Sequence, residues 1–153
     1  MKFICDDNLG KLAKWLRTLG FDTLFSQDIE DTELVSKALK EERIILSRDQ
    51  ELKRFTSAKK NLFLLSSNQP LEQLKEVLKK FKLKSEEKNH FTRCIVCNTI
   101  LTPVSKQEVE NKVPPFVFKT QEKFFYCSTC DKFYWAGTHV KNLKKKIKEV
   151  NLL

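Results

Sequence analysis

The sequence predicts an α/β protein with a mainly parallel sheet in its front part and a small cysteine-bearing module behind it. In the front part, short apolar runs alternate with amphipathic helical patterns, as expected for parallel strands joined by crossover helices. Farther along are two Cys-x-x-Cys pairs with 29 residues between them. Between the two parts, residues 82–90 (KLKSEEKNH) are charged and lack hydrophobic periodicity. We therefore expect one domain over residues 1–85 and a second over residues 90–153.

The first stretch, residues 3–20, combines an apolar strand, two carboxylates and a helix. Asp6 and Asp7 follow the strand directly. The helix has apolar residues at helical spacing, namely Leu9, Leu12, Ala13, Leu16 and Leu19. Gly20 is the expected stop. Because open α/β sheets bind ligands at the carboxyl ends of their strands, both acids are candidates for a site. Capping of the helix is the alternative, which we prefer for Asp7 and weigh equally for Asp6.

Three more strand patterns complete the front part. A strand is predicted at residues 22–25, and the loop after it leads into a helix with Asp31 as the natural N-cap. The next strand, RIILS at 43–47, is followed by Arg48, Asp49 and a short helical stretch. A last apolar run at 61–65 precedes Pro70, which opens another helix.

Acids therefore follow the ends of several predicted strands, which indicates a site at one edge of the sheet. The acids expected at this edge are Asp6, Asp7, either Asp28 or Asp31, and Asp49. Carboxylates grouped in this way bind Mg²⁺ or Mn²⁺. A bound ion of this kind can activate water and stabilise charge on a phosphate, so phosphodiester hydrolysis follows naturally.

A receiver domain is a more remote interpretation of the same acids. Its acids also bind Mg²⁺, and an aspartate after its third strand is phosphorylated, as Asp49 would be here. A receiver needs a fifth strand that ends in lysine and a fifth helix. In this chain the fourth strand and its helix run directly into the charged linker.

The cysteine pairs are the strongest chemical signal in the chain. Cys94, Cys97, Cys127 and Cys130 can supply four thiolates from two tight turns, which closes the tetrahedral coordination of a structural zinc ion. Two disulfides would suit a small secreted protein instead. The remaining cysteine, Cys5, is interpreted as a small buried core residue.

The rest of the back part is predicted as strand, hairpin and helix. VPPFVF at 113–118 reads as a strand, and FFYCSTCDKFYWAG at 124–137 reads as a hairpin. Residues 140–150 carry an amphipathic helical pattern rich in lysine. Phe133, Tyr134, Trp135 and His139 could stack on unpaired bases, but we favour a core beside the metal site for them.

Charge is distributed unevenly within the formal net charge of +9. Residues 1–68 have 12 basic and 11 acidic residues, whereas residues 69–153 have 17 and 9. This excess indicates a polyanionic partner, and nucleic acid is favoured over a membrane because no long apolar span is present. A lysine-rich soluble surface is the alternative. Residues 1–20 lack the features of a signal peptide, so the cytoplasm is the predicted compartment.

Taken in order, these motifs resemble the Mut-seven C-terminal RNase domain family, a PIN-like nuclease domain followed by a zinc ribbon. The resemblance covers nearly the whole chain and rests on FICDDNLGKLAKWLRTLGFDTLF, DTEL, RIILSRDQEL, FTRCIVCN and FYCSTCDKFYWAGTH. It implies a three-layer PIN-like domain, RNA as the substrate, and the family's acids on Asp6, Asp31 and Asp49. Ser47 stands where threonine is usual, which keeps the hydroxyl group.

The predicted function is therefore a ribonuclease that depends on Mg²⁺ or Mn²⁺ and also contains structural Zn²⁺. The alternative is a non-catalytic zinc-ribbon protein that binds RNA. The expected substrate is RNA that is single-stranded or has unpaired regions. Candidate RNA contacts are the basic residues Lys11, Arg17, Arg48, Arg93, His139, Lys144, Lys145 and Lys146.

Overall fold

The computed structural model describes residues 1–151, and the side chains of His139 and Asn151 lie outside the described set. It divides into two compact units, Met1–Asn98 and Thr99–Leu153. The first unit contains the predicted parallel sheet with its helices. The second contains a small antiparallel sheet and the C-terminal helix.

Four parallel strands form the sheet of the first unit, which confirms the predicted fold class. These strands are β1 (Lys2–Cys5), β2 (Asp22–Phe25), β3 (Ile44–Ser47) and β4 (Leu62–Leu64). Their order across the sheet is β2-β1-β3-β4, so β2 and β4 are the edge strands. In the register of β1 with β3, Cys5 lies opposite Leu46. The residues after this pair, Asp6 and Ser47, are therefore neighbours at the carboxyl edge.

Three α-helices cover the two faces of the sheet. They are α1 (Gly10–Thr18), α2 (Asp31–Glu41) and α3 (Pro70–Lys80). Ile4 packs in one cluster with the α2 residues Leu34 and Ala38. On the opposite face, the Phe3 ring lies edge-on to Phe81, which directly follows α3. Because successive strand residues point to opposite faces, the unit has three layers, with the sheet in the middle.

Two helix termini in this unit differ in how well the sequence predicts them. Gly20 ends α1 with a φ of +93°, and a Cβ atom there would lie 2.3 Å from the carbonyl oxygen of Asn89, so glycine is required. The prediction of Asp31 as N-cap was wrong. Glu30 has the extended backbone of the cap, and Asp31 is the first residue of α2. An acid in the first turn still interacts favourably with the helix dipole.

The second unit is built on a three-stranded antiparallel sheet in the order β5-β6-β7. Its strands are β5 (Thr102–Val104), β6 (Phe124–Cys127) and β7 (Lys132–Trp135), and its helices are α4 (Pro115–Thr120) and α5 (Thr138–Asn151). The predicted hairpin is confirmed, since β6 pairs with β7. Val109, Val113 and Phe124 are buried together in the core of this unit.

The strand predicted at residues 113–118 was wrong, because this segment forms α4. Pro114 is the N-cap and Pro115 the first helical residue, where a missing N–H has no cost. The Phe118 N–H donates to the Pro114 carbonyl and closes the turn. Two consecutive prolines also cannot donate to a strand ladder, which disfavours the sheet. The α5 lysines remain on an exposed face, while Ile147 and Val150 are buried.

Candidate functional site

A serine hydroxyl connects two of the three predicted acids at the carboxyl edge of the parallel sheet. The Ser47 hydroxyl donates to Asp6 Oδ2 over 2.7 Å, and Ser47 Oγ accepts a hydrogen bond from the Asp49 N–H over 2.9 Å. Ser47 is fully buried, whereas Asp6 and Asp49 are half-buried. The end of β1 and the turn after β3 are therefore held together at the point where both acids leave the sheet.

Asp49 has a second role in the local backbone. It is the N-cap of the 3-10 helix Gln50–Arg54, and its Oδ1 accepts the Glu51 N–H over 2.9 Å. This bond fixes one oxygen of the carboxylate towards the turn. The carboxylate is thus oriented by the backbone at the edge where ligands bind in parallel sheets.

The third predicted acid, Asp31, is ion-paired with Arg54. Arg54 Nη2 lies 3.0 Å from Asp31 Oδ2, and its guanidinium also stacks 4.6 Å from the centroid of the Phe55 ring. Half of the Arg54 side chain is exposed. Sequence reasoning missed Arg54, since the two residues are 23 positions apart and no local motif joins them.

Asp7 and Asp28 form a separate loop contact beside these acids. The Asp28 N–H donates to Asp7 Oδ1 over 2.7 Å, and both residues are exposed. The predicted capping role of Asp7 was wrong. The N-cap of α1 is Leu9, with no side-chain cap bond, and the Asp7 carboxylate instead binds the backbone of the next loop.

The acids and the cysteines differ in how closely they are grouped. Among the described residues, the four cysteines form a group whose ligand atoms lie close enough to share one metal ion directly. Asp6, Asp31 and Asp49 do not form such a group there. Carboxylate oxygens are nevertheless donors that Mg²⁺ and Mn²⁺ prefer, and Mg²⁺ is usually bound by only one or two carboxylates while it keeps several waters.

Cys94, Cys97, Cys127 and Cys130 meet at one point, as the spacing predicted. Their sulfur atoms all lie within 4.8 Å of one another, and Cys94 and Cys127 are buried. Four thiolates that bind one ion tetrahedrally at about 2.3 Å lie roughly 3.8 Å apart, which is within this limit, so the cluster fits structural zinc. The Cys130 N–H also donates to Cys127 Sγ over 3.4 Å, which orients this sulfur.

Cys5 lies in the core of the first unit, as predicted. It is completely buried in β1, and burial raises the pKa of its thiol to about 12. A thiol that remains protonated is a poor nucleophile and a poor metal ligand. Cys5 is therefore a packing residue.

Arg17 and Arg93, predicted as RNA contacts, both donate to backbone carbonyl groups of the first unit. Arg17 is only 4% exposed, and its guanidinium donates to the carbonyl oxygens of Thr23, Ile95 and Val96. Arg93 donates to the Gly20 and Asn98 carbonyl oxygens. The prediction for Arg17 was wrong, because the segment around the first cysteine pair covers α1 at this residue. RNA contact by Arg93, which is partly exposed, stays a prediction.

A buried polar network lies beside these two arginines. Asp22 Oδ1 accepts from Arg43 over 2.7 Å and from the Asn98 amide over 2.8 Å. Burial alone would raise the pKa of the Asp22 carboxyl, but the hydrogen bonds from Arg43 and Asn98 outweigh this effect and lower its pKa. Asn98 itself has a φ of +73°, a left-handed conformation that asparagine tolerates.

The other candidate RNA contacts differ in exposure. Lys11, Arg48, Lys144, Lys145 and Lys146 are exposed, and the His139 side chain lies outside the described residues.

Phe133 and Trp135 pack against the core of the second unit, which agrees with the core role favoured for them from the sequence. Phe133 also lines a cleft of about 640 Å³ with Tyr126 and Lys112, and the Tyr126 and Phe133 rings lie 5.1 Å apart.

The fold and these residues define an α/β protein with acids at the carboxyl edge of a parallel sheet and with four clustered cysteines that fit a metal ion. The sequence matches the family described as Mut7-C RNAse domain over residues 1–147, so the chain belongs to this family. Searches of curated proteins and of solved structures gave no significant match. Within residues 1–151, no helix is long and apolar enough to cross a membrane.

Proposed function

We propose that this protein is a ribonuclease that depends on Mg²⁺ or Mn²⁺ and cuts RNA at the carboxyl edge of the parallel sheet. Asp6 and Asp49 would hold the ion, with Asp31 as the third acid. The observation that carries this proposal is the hydrogen-bonded link Asp6–Ser47–Asp49, which joins two carboxylate-bearing turns through one buried hydroxyl. Membership of an RNase domain family supports the reaction class and RNA as the substrate.

The bound ion would supply a water activated for attack and a positive charge beside the phosphate. Ser47 holds the Asp6 carboxylate in place, and the Glu51 N–H does the same for Asp49. Fixing carboxylates before the substrate arrives reduces the reorganisation required during the reaction.

Arg54 is suited to control the third acid. Its exposed guanidinium pairs with Asp31, so it neutralises that carboxylate in the absence of RNA. A guanidinium also binds phosphate in a bidentate manner. When RNA enters, Arg54 can exchange Asp31 for a phosphate oxygen, which would leave the Asp31 carboxylate available to the ion.

The excess of basic residues would bind the RNA backbone. Lys144, Lys145 and Lys146 are exposed on α5, and Lys11 and Arg48 are exposed in the first unit. The Tyr126 and Phe133 rings offer a surface on which an unpaired base could stack. Single-stranded RNA, or RNA with unpaired regions, is therefore the proposed substrate. A Cys₄ site requires reduced thiols, which supports the cytoplasm as the compartment.

The test is a cleavage assay with purified protein and labelled single-stranded RNA, with and without Mn²⁺. Asp6→Asn and Asp49→Asn are compared with Glu87→Gln, which changes an exposed acid away from the strand ends. We expect Mn²⁺-dependent cleavage that both Asn variants reduce by at least 100-fold and that Glu87→Gln leaves unchanged.

Two other outcomes would contradict the proposal. Cleavage that survives both EDTA and the Asn substitutions would belong to a contaminant. Binding of RNA without cleavage under any divalent ion would favour the alternative, a zinc-ribbon protein that binds RNA and does not cut it.

A further inference from the structure

Within the first unit, hydrogen bonds from a buried arginine attach the turn of the first cysteine pair to the parallel sheet and its helix α1. Arg17 Nη1 donates to the carbonyl oxygens of Ile95 and Val96, over 3.0 and 3.1 Å. These are the two residues between Cys94 and Cys97. Arg17 Nε donates in turn to the Thr23 carbonyl over 2.9 Å. One guanidinium thus joins α1, the edge strand β2 and the Cys-x-x-Cys turn.

Asn98, directly after this turn, makes a second connection to the same edge strand. Its Oδ1 accepts the Thr23 N–H over 3.0 Å, and its amide nitrogen donates to Asp22 over 2.8 Å. Thr23 is fully buried and Asn98 is 7% exposed. The outward N–H and C=O of Thr23 are therefore both satisfied by groups that hold the cysteine turn, and this also protects the edge strand from other partners.

Three more contacts fix the chain that leads to the turn. The Phe91 N–H donates to the Thr18 carbonyl, and Arg93 donates to the Gly20 carbonyl. The close approach of Asn89 to Gly20 leaves no room for a side chain. Residues 89–98 are thus attached to the end of α1 and the start of β2 along their length.

The charge of Arg17 is also suited to this position. Four thiolates around Zn²⁺ carry a net charge of −2, and such a cluster needs nearby positive charge or N–H donors when it is partly buried. Arg17 is a buried cation within electrostatic range of both Cys94 and Cys97. A buried guanidinium without a nearby anion or hydrogen-bond acceptor would destabilise the fold.

We propose that Arg17 and Asn98 are positioning residues of the zinc site: they hold the Cys94–Cys97 turn in its metal-binding geometry and couple zinc binding to the α1–β2 edge of the parallel-sheet unit. This coupling is reciprocal. Zinc that binds a preformed turn binds more tightly, and bound zinc stabilises the α1–β2 edge by the same factor. The inference does not depend on nuclease activity and is tested without it.

The first experiment measures the affinity of the full chain for Zn²⁺ by competition with a chelator under reducing conditions. The absorption spectrum of bound Co²⁺ reports the thiolate geometry. The variants are Arg17→Met, which removes the charge and all donors, and Arg17→Lys, which keeps the charge without the forked donors. Lys14→Met is the matched control, because Lys14 is an exposed lysine on the same helix.

We expect Arg17→Met to weaken Zn²⁺ binding by about 10- to 100-fold, the usual effect of losing an outer partner of a metal ligand. Arg17→Lys should fall between Arg17→Met and the wild type, and Lys14→Met should bind as the wild type does. Asn98→Gly keeps the left-handed backbone, removes the amide and should also weaken binding. Folded Arg17→Met and Asn98→Gly variants that bind Zn²⁺ within twofold of the wild type would overturn the proposal.

A second experiment uses only the wild-type protein, so it does not depend on whether a variant folds. Amide hydrogen exchange is compared before and after zinc is removed. The coupling predicts that the Thr23 and Phe91 amides lose at least 10-fold in protection, while amides at the centre of β3 change little. Unchanged protection at Thr23 and Phe91 would show that the cysteine turn and the sheet edge are independent.

Discussion

Replacing Ser47 by alanine tests whether one hydroxyl holds Asp6 and Asp49 in place at the carboxyl edge of the parallel sheet. The hydroxyl donates to the Asp6 carboxylate and accepts from the Asp49 N–H, so alanine removes two hydrogen bonds at a buried position. We expect the variant to be less stable and to lose RNA cleavage, because Asp6 and Asp49 are no longer held in a fixed relation.

The magnitude follows from the kind of hydrogen bond removed. A hydrogen bond to a charged group contributes about 1.5–3 kcal/mol, and a neutral one about 0.5–1.5 kcal/mol. Asp6 is half-buried and can regain some water in the variant, which offsets part of the loss. The free energy of unfolding of the first unit should therefore fall by about 2–3 kcal/mol.

The assay is denaturant unfolding followed by Trp15 fluorescence. Trp15 lies in α1 of the first unit, and Trp135→Phe in every protein removes the signal of the second unit. Ser47→Thr is the matched control, since it keeps the hydroxyl and adds only one methyl group. A loss below about 0.5 kcal/mol for Ser47→Ala, or an equal loss for both variants, would refute the assigned role of the hydroxyl.

Three further predictions concern charge, pH and the thiols. Changing Lys144, Lys145 and Lys146 together to alanine should reduce the slope of log affinity for RNA against log salt concentration, measured in Ca²⁺, by roughly two, because each phosphate contact on a single strand contributes about −0.7. The same change at the exposed residues Lys53, Lys59 and Lys60 is the control. An unchanged slope for the triple variant in α5 would assign those lysines to solubility. The lowered pKa of Asp22 stabilises the fold above its ordinary pKa, and this contribution is lost as pH falls through the lower folded value. The melting temperature of Asp22→Asn should therefore depend less on pH below about pH 4 than that of the wild type, and parallel curves would contradict this. In folded protein without zinc, iodoacetamide should label Cys97 and Cys130, which are half-buried, and spare Cys5, whose buried thiol has a pKa of about 12. Mass spectrometry that finds Cys5 labelled in folded protein would contradict its burial.

Ser47 also illustrates how far the sequence predicts the candidate site. The alternation of apolar runs and helical patterns places Asp6 and Asp49 after neighbouring parallel strands, because such strands end at one edge. The hydroxyl that links them follows from the register of β1 with β3, which local pattern does not encode. Asp31 was predicted at the same edge, yet its pairing with Arg54 depends on where the 3-10 helix after β3 lies.

The sequence by itself determined the elements that depend on neighbouring residues. These include the parallel strands and their helices, the stop at Gly20, the hairpin β6–β7 and the Cys₄ cluster, for which residue type and spacing are sufficient. Only the tertiary structure decided the role of Arg17. At the sequence level it is one of several basic residues on a helix, but its partners Ile95 and Val96 lie 78 and 79 positions away. A buried guanidinium binds whichever carbonyl groups the fold brings within reach, and that proximity is a property of the folded chain rather than of local spacing.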